Sequence, residues 1–278
     1  MSVEWSDLPD KVSVLPIQAK DGFVLSHTTD GGVTYSVSKF GLVEELQAYL
    51  QADTGPLFTG DTTLVVAIGT SGTGIKGRWD APYPTVLLAQ SAAVAGDTII
   101  VFGNVVGEEI IGKNGVDYIF NGNIDYAGSN AIFDDDADTV ISNITVHGDI
   151  TLTGQGYVAF TSDSDTVFKI KCHSIKQANS STKAFIECVG GGVVEFEGNI
   201  ESNSSNRTVN VATGSRFRMR GDMTNEGTGV CIKSNSGDID FKGNIHCELG
   251  KAILLVGNTE GYFDGNFSSN SQTAADYV

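Results

Sequence analysis

The sequence contains few basic residues. Among 278 residues, 17 lysines and arginines stand against 34 aspartates and glutamates, and the formal net charge is −17. A nucleic-acid phosphate backbone is bound through a stripe of lysine and arginine, and no part of this chain concentrates them. We therefore exclude nucleic acid as a partner. The acidic excess favours solubility and is compatible with the binding of divalent cations.

Cysteine is also scarce. The four cysteines, Cys172, Cys188, Cys231 and Cys247, form no C-x-x-C pair, and each lies in a strand-like run. Disulfide frameworks belong mainly to short secreted chains, so we predict four buried free thiols. The four histidines show no metal-ligand spacing.

Long hydrophobic runs are missing. No run approaches the roughly 18 apolar residues of a membrane-spanning helix, so we expect no membrane insertion. The first residues have neither the basic region nor the apolar region of a signal peptide, so we expect no secretory export.

A short pattern recurs instead: apolar, polar, apolar, polar, glycine, asparagine or aspartate, apolar. The clearest copies are Val194–Ile200, Phe217–Met223, Ile239–Ile245 and Gly261–Phe267, and their last residues are 23, 22 and 22 apart (200 to 223, 223 to 245, 245 to 267). Earlier copies are Tyr118–Ile124 and Ile144–Ile150, with a degenerate copy at Phe168–Ile175 and a short first copy at Val101–Val105. Similarity at a fixed period of this size indicates a solenoid.

Each copy alternates with the period of a strand, and a second alternating run follows it. The chain therefore predicts an all-β fold, a parallel β-solenoid of about seven turns of roughly 22 to 26 residues, with equivalent residues stacked one strand spacing apart. Stacking places outward charges in two columns, Glu197–Arg220–Lys242–Asp264 and Glu195–Arg218–Asp240. It also aligns a polar ladder of Asn123, Asp149, Asn199, Asp222, Asn244 and Asn266.

Residues 1–50 differ from the repeats and predict a small α+β module. Strands are expected at Gly22–Leu25 and Thr34–Val37, joined by a Gly-Gly turn, with an amphipathic helix after Ser38. The order of Ser6, Leu8, Pro9, Asp21, Phe23, Leu25, Gly31, Gly32, Val33, Thr34, Val37 and Phe40 resembles the amino-terminal segment of tailed-bacteriophage tail-fibre and virion-appendage proteins. The resemblance implies a virion-attachment module.

Residues 51–83 are rich in glycine, threonine and aspartate and predict a linker. From residue 84 to 278 we predict a capping helix and the solenoid. The helix ends at Gly96, and Ala92, Ala95, Gly96, Asp97, Thr98, Ile99 and Val101 resemble the start of pectate-lyase-like right-handed parallel β-helices, where a helix covers the first turn. No capping segment is apparent after the last repeat, so we expect that end to meet a partner or further chain.

One acidic cluster is a candidate for chemistry. Aligning Phe133 with Phe160 stacks Asp136 on Asp163 and Asp138 on Asp165, about 5 Å apart. That separation suits the catalytic carboxylate pair of a retaining glycosidase. The oxygen atoms of Asp134, Asp136, Asp138, Asp163 and Asp165 would alternatively suit calcium. The third interpretation is a solvated acidic turn with no ligand and no cofactor.

The resemblances together imply a phage virion appendage, a tail fibre or tailspike-like protein. We expect a homotrimer that attaches to other virion proteins through residues 1–50 and presents its β-helix to a host-surface glycan. One alternative is a tailspike depolymerase, a glycoside hydrolase or lyase using the four aspartates. Another is a structural virion adaptor without enzymatic activity.

Overall fold

The computed structural model describes residues 62–71, 74–78, 81–135, 140–177 and 181–270, and three short strands nearer the amino terminus. The chain divides into two compact units, residues 1–57 and 58–278. In the first unit, β1 (Val3–Glu4) pairs in parallel with β2 (Val24–His27), and β2 pairs antiparallel with β3 (Val33–Ser36). This pairing confirms the predicted hairpin. The helix predicted after Ser38 lies outside the described residues.

The second unit is a parallel β-solenoid with three faces. Face A consists of β4 (Thr63–Ala67), β5 (Thr98–Phe102), β8 (Asp117–Asn121), β11 (Ile141–Val146), β14 (Val167–Gln177), β16 (Val193–Ser202), β18 (Arg216–Arg220), β21 (Asp238–Lys242) and β24 (Gly261–Asp264). Face B consists of β6 (Val105–Val106), β9 (Ile124–Tyr126), β12 (Asp149–Leu152), β19 (Met223–Asn225), β22 (Ile245–Cys247) and β25 (Phe267–Ser269), with the second halves of β14 and β16. Face C consists of β7 (Ile110–Ile111), β10 (Ala131–Asp134), β13 (Tyr157–Thr161), β15 (Ile186–Cys188), β17 (Arg207–Val211), β20 (Val230–Asn235) and β23 (Ile253–Val256). The seven strands of Face C correspond to about seven turns, as the repeat predicts.

Equivalent positions of the repeat touch one another in the core. Phe196 pairs with Met219 and Met219 with Phe241 on adjacent strands of Face A. All three side chains are buried. Because the repeats have nearly equal length, every turn places the same apolar position on the same column, and one continuous core results.

The glycine and asparagine positions form the corner between Faces A and B. The side-chain oxygen of Asn199 accepts the backbone N–H of Asp222 at 3.0 Å, and that of Asp222 accepts the N–H of Asn244 at 2.8 Å. The same bond links Asn123 to Asp149 at 3.0 Å. The predicted ladder is confirmed, and its main bond runs from side chain to backbone. These bonds satisfy the amides at a bend where the strand ladder is interrupted.

The degenerate copy keeps this corner through a bulge in β14. The pairing of β14 with β16 shifts between Lys171 and Ser174, so one extra residue is accommodated there. Ser174 then occupies the asparagine position, and its hydroxyl donates to Asp149 at 2.7 Å.

The solenoid begins earlier in the chain than predicted. β4 lies within the region assigned to the linker, yet it pairs along its whole length with β5. Its other edge is covered by the segment around Tyr83, whose N–H donates to the carbonyl of Val65 at 2.7 Å. The sequence does show a strand-like run at residues 63–68. Its three consecutive buried residues do not alternate as the repeat does, so the pattern gives no sign that this strand joins the solenoid.

A short helix, α1 (Val86–Ala92), packs on the first turn of the solenoid through Val86 and Ala89. Thr85 caps its amino terminus by accepting the N–H of Leu88. The predicted capping helix is present, but it ends at Ala92 rather than Gly96. The buried carboxylate of Asp97 pairs with Lys76 at 2.8 Å and accepts the N–H of Val94 at 2.7 Å, which fixes the passage into β5.

Candidate functional site

Only some of the aspartates predicted to carry chemistry can be located in the structure. Asp163 and Asp165 lie in one turn after β13, where Asp163 accepts the N–H of Asp165 at 2.9 Å. Asp134 is half-buried at the end of β10. Asp136 and Asp138 lie outside the described residues, so their stacking on Asp163 and Asp165 remains a prediction.

The register assumed for that stacking is wrong by one residue. Phe133 lies opposite Ala159, and Asp134 lies opposite Phe160. The alignment failed because it matched two aromatic residues with different roles. Phe133 is buried in the core, whereas Phe160 is half-buried on the outer surface.

In the observed register, Asp135 is the carboxylate that contacts the next turn of the solenoid. The sequence did not single it out. It is fully buried, and it accepts the N–H and the hydroxyl of Ser162, both at 2.6 Å, and the N–H of Asp163 at 3.0 Å. Burial alone would raise the pKa of Asp135, but the hydrogen bonds from Ser162, Asp163 and Thr166 outweigh it and lower the pKa. Strand alternation was the available signal, since Asp135 follows the core residue Phe133 by two positions.

Among the residues that the structure describes, no three histidine, cysteine, aspartate or glutamate side chains converge on a point where a metal ion would sit. The calcium prediction includes two residues outside that part of the chain and stays a prediction. The one helix in the described ranges is too short to cross a membrane.

Face A carries a shallow groove of about 490 Å³ on its outer surface. Glu195, Arg218 and Asp240 of one predicted charge column and Glu197 and Arg220 of the other line it. Both columns have the predicted register. Its charged side chains are paired with one another: Lys169 with Glu195 at 3.9 Å, Arg218 with Glu195 at 2.6 Å, Lys171 with Glu197 at 2.6 Å and Arg220 with Asp240 at 2.9 Å. A charged ligand would have to displace these ion pairs, so we assign the groove a structural role.

Arg220 shows how the columns avoid repulsion between like charges. Its direct neighbour on the next strand is Lys242, and its guanidinium turns diagonally to Asp240 with two hydrogen bonds, at 3.1 and 2.9 Å. The hydrogen bond from Arg220 lowers the pKa of Asp240. Lys242 pairs instead with Asp264 at 3.5 Å.

Face C carries a different surface, formed by Tyr157, Phe160, Lys183, Glu187, Arg207 and Asn210, which we call the aromatic–acid cluster. Tyr157 and Phe160 are three residues apart and would face opposite sides of a regular strand. In β13 the amides of Val158 and Ala159 both reach the carbonyl of Phe185, and both side chains are buried. This irregularity turns Tyr157 and Phe160 to the same outer side, with ring centroids 5.6 Å apart.

Glu187 lies beside the two rings, directly opposite Phe160 on the neighbouring strand. Its carboxylate accepts the side-chain amide of Asn210 at 2.5 Å and approaches the guanidinium of Arg207 at 3.4 Å. Burial, followed by the charge of Glu187, raises the pKa of the Tyr157 hydroxyl, which therefore remains a hydrogen-bond donor at neutral pH. Among the residues that the structure describes, the buried Nε atom of Arg207 has no hydrogen-bond partner.

Lys183 completes the cluster. Its ammonium lies 4.8 Å from the centre of the Tyr157 ring and donates to the carbonyl of Ser129 at 2.7 Å. The cluster thus offers two partly exposed rings for apolar contact and an amide, a guanidinium and a hydroxyl for hydrogen bonds, all arranged around the buried carboxylate of Glu187. Such a surface suits a ligand with an apolar face and a polar edge.

Tyr126, Tyr157 and Tyr262 lie on three different faces of the solenoid and form no joint aromatic platform. Tyr126 is buried, and Tyr262 is 63% exposed on Face A. The aromatic partner of Tyr157 is Phe160. Only the irregular hydrogen bonding of β13 reveals the pair.

The fold defines the class of the protein as a parallel β-solenoid that displays columns of side chains on flat outer faces, an architecture compatible with tail-fibre and adhesin-like proteins. Comparison with known protein families, curated proteins and solved structures finds no match.

Proposed function

We propose that the chain is a virion appendage of a tailed bacteriophage, attached to the particle by residues 1–50, and that its solenoid binds a host-surface glycan through the aromatic–acid cluster. The observation that carries the proposal is the pair Tyr157 and Phe160 beside Glu187 on an outer face. The apolar face of a sugar ring packs against aromatic rings, and neighbouring hydroxyl groups bond to carboxylate, amide and guanidinium groups.

The rigidity of the solenoid supports this role. Each turn is bonded to its neighbours along all three faces, so a site built from β13, β15 and β17 is held on strands rather than on a loop. The binding of a ligand then costs little free energy for ordering the side chains and backbone of the site. We include a homotrimer in the proposal because several weak sugar sites together give high avidity.

Replacement of Tyr157 by alanine tests the glycan site. The full-length Tyr157→Ala protein is expected to bind oligosaccharides of the host-surface polysaccharide about tenfold more weakly, because an aromatic contact is lost. Isothermal titration calorimetry measures the affinity, and circular dichroism verifies the fold. Tyr262→Ala is the matched control, because it removes an exposed tyrosine from Face A.

Equal weakening by the two substitutions, or no weakening by Tyr157→Ala, would contradict a glycan site on Face C. Release of reducing ends from the polysaccharide, lost in Asp163→Ala, would favour the depolymerase instead.

Imaging of intact particles with a label at Met1 tests attachment. Absence of the label from particles would count against a virion role.

A further inference from the structure

Two buried cysteines meet between consecutive turns near the last described strands. Cys231 lies in β20 and Cys247 in β22 of the following turn, and their Sγ atoms are 2.8 Å apart. Both side chains are fully buried and both are thiols in this structure. We propose that Cys231 and Cys247 form a disulfide on exposure to an oxidising small-molecule disulfide, which covalently joins adjacent turns of the solenoid. The inference depends on these side chains and is independent of the proposed glycan site.

The surroundings of the pair favour bonding to each other over reaction with other partners. Cys247 Sγ donates to the carbonyl of Lys251 at 3.1 Å, which holds it at the corner between Faces B and C. The other two cysteines, Cys172 and Cys188, are buried in β14 and β15, at other places on the solenoid. One specific pair therefore stands out among four thiols.

The reaction is thiol–disulfide exchange. One cysteine thiolate attacks a sulfur of oxidised glutathione and releases one glutathione thiolate, which takes up a proton. The second cysteine thiolate then attacks the resulting mixed disulfide at the protein sulfur and releases the second glutathione. The two protein thiols lose two electrons and two protons in total, and one glutathione disulfide is reduced to two thiols.

Access to the pair requires opening of the turn that contains β22. The hydrogen bond with Cys247 and burial raise the pKa of Cys231, and the same hydrogen bond lowers the pKa of Cys247. Both sulfur atoms are buried, so glutathione cannot reach either of them while the turn is closed. The stability of a solenoid is carried by contacts between neighbouring turns, so one turn can open locally without unfolding of the whole. Oxidation is therefore expected to be slow, and the bond, once formed, to oppose the same opening.

Incubation of the full chain with oxidised glutathione at pH 8, followed by intact mass and peptide mapping, tests the proposal. We expect a mass loss of about 2 Da and a single cross-linked peptide pair containing Cys231 and Cys247. The cross-link closes a loop of 16 residues. The Glu248 amide, which bonds to the carbonyl of Asn225, should then exchange hydrogen roughly 100-fold more slowly.

The chain supplies its own controls. Exchange of the Thr98 amide, at the opposite end of the solenoid, should not change. Cys247→Ser should form no intramolecular cross-link, whereas Cys172→Ser should form it as the wild type does. A wild-type chain that keeps four thiols, acquires only glutathione adducts, or links a different pair would overturn the proposal, and none of these readouts depends on a variant folding.

Discussion

Replacement of Gly221 by alanine is expected to lower the free energy of unfolding by about 3 to 6 kcal/mol. Gly221 has a backbone φ of +142°, a region that side-chain-bearing residues rarely adopt. A methyl group there would also overlap the carbonyl oxygen of Gly198 on the previous turn. Gly198 and Gly221 cannot move apart, because the hydrogen bonds between neighbouring turns hold both backbones in place. Urea unfolding, followed by circular dichroism, measures the loss as a lower midpoint.

Gly214→Ala separates the two causes. Gly214 also has a positive φ, +77°, but an added methyl group would meet no atom within 4 Å. Its cost should be limited to the backbone contribution of about 1 to 2 kcal/mol. Equal losses for the two substitutions would show that close stacking of the glycine column contributes nothing, and that the register is maintained by side chains alone.

The glycine column explains why the register of Face A could be predicted from the sequence. Gly198, Gly221, Gly243 and Gly265 all have a positive φ, and each stacks on the carbonyl oxygen of the glycine, or of Cys172, one turn earlier. A shift of one residue would place a side chain in that space. The glycine of the repeated pattern therefore has to align with the glycine of the next copy, and this fixes the register of the neighbouring columns of side chains.

None of the seven described strands of Face C contains a glycine. The register and the outward-facing residues of this face were predicted less accurately. Its strands β13 and β17 contain two consecutive buried residues, so simple alternation misjudges which side chains point outward. The alignment of Phe133 with Phe160 failed for this reason. The aromatic–acid cluster depends on the same irregularity, which is set by pairing with Phe185 rather than by local sequence.

Replacement of Asp135 by asparagine is expected to cost about 3 kcal/mol of unfolding free energy at pH 7. The carboxylate accepts hydrogen bonds from both the N–H and the hydroxyl of Ser162 and from the N–H of Asp163. An asparagine of the same shape keeps one oxygen but turns an NH₂ group toward these donors. The loss follows from bonds made inside the solenoid, so it should appear whether or not the glycan site is correct.

The cost should also depend on pH, with a sign that the structure determines. The folded pKa of Asp135 lies below its ordinary value of 3.8, so its contribution is complete above that value and declines as pH falls toward the folded pKa. The difference in unfolding free energy between wild type and Asp135→Asn should therefore be larger at pH 7 than at pH 3. Asp165→Asn removes the same charge from an exposed position in the adjoining turn, and should change stability by less than about 0.5 kcal/mol at either pH. A difference that grows on acidification, or an equal loss in Asp165→Asn, would show that Asp135 acts through the overall charge of the chain and not through its hydrogen bonds to Ser162 and Asp163.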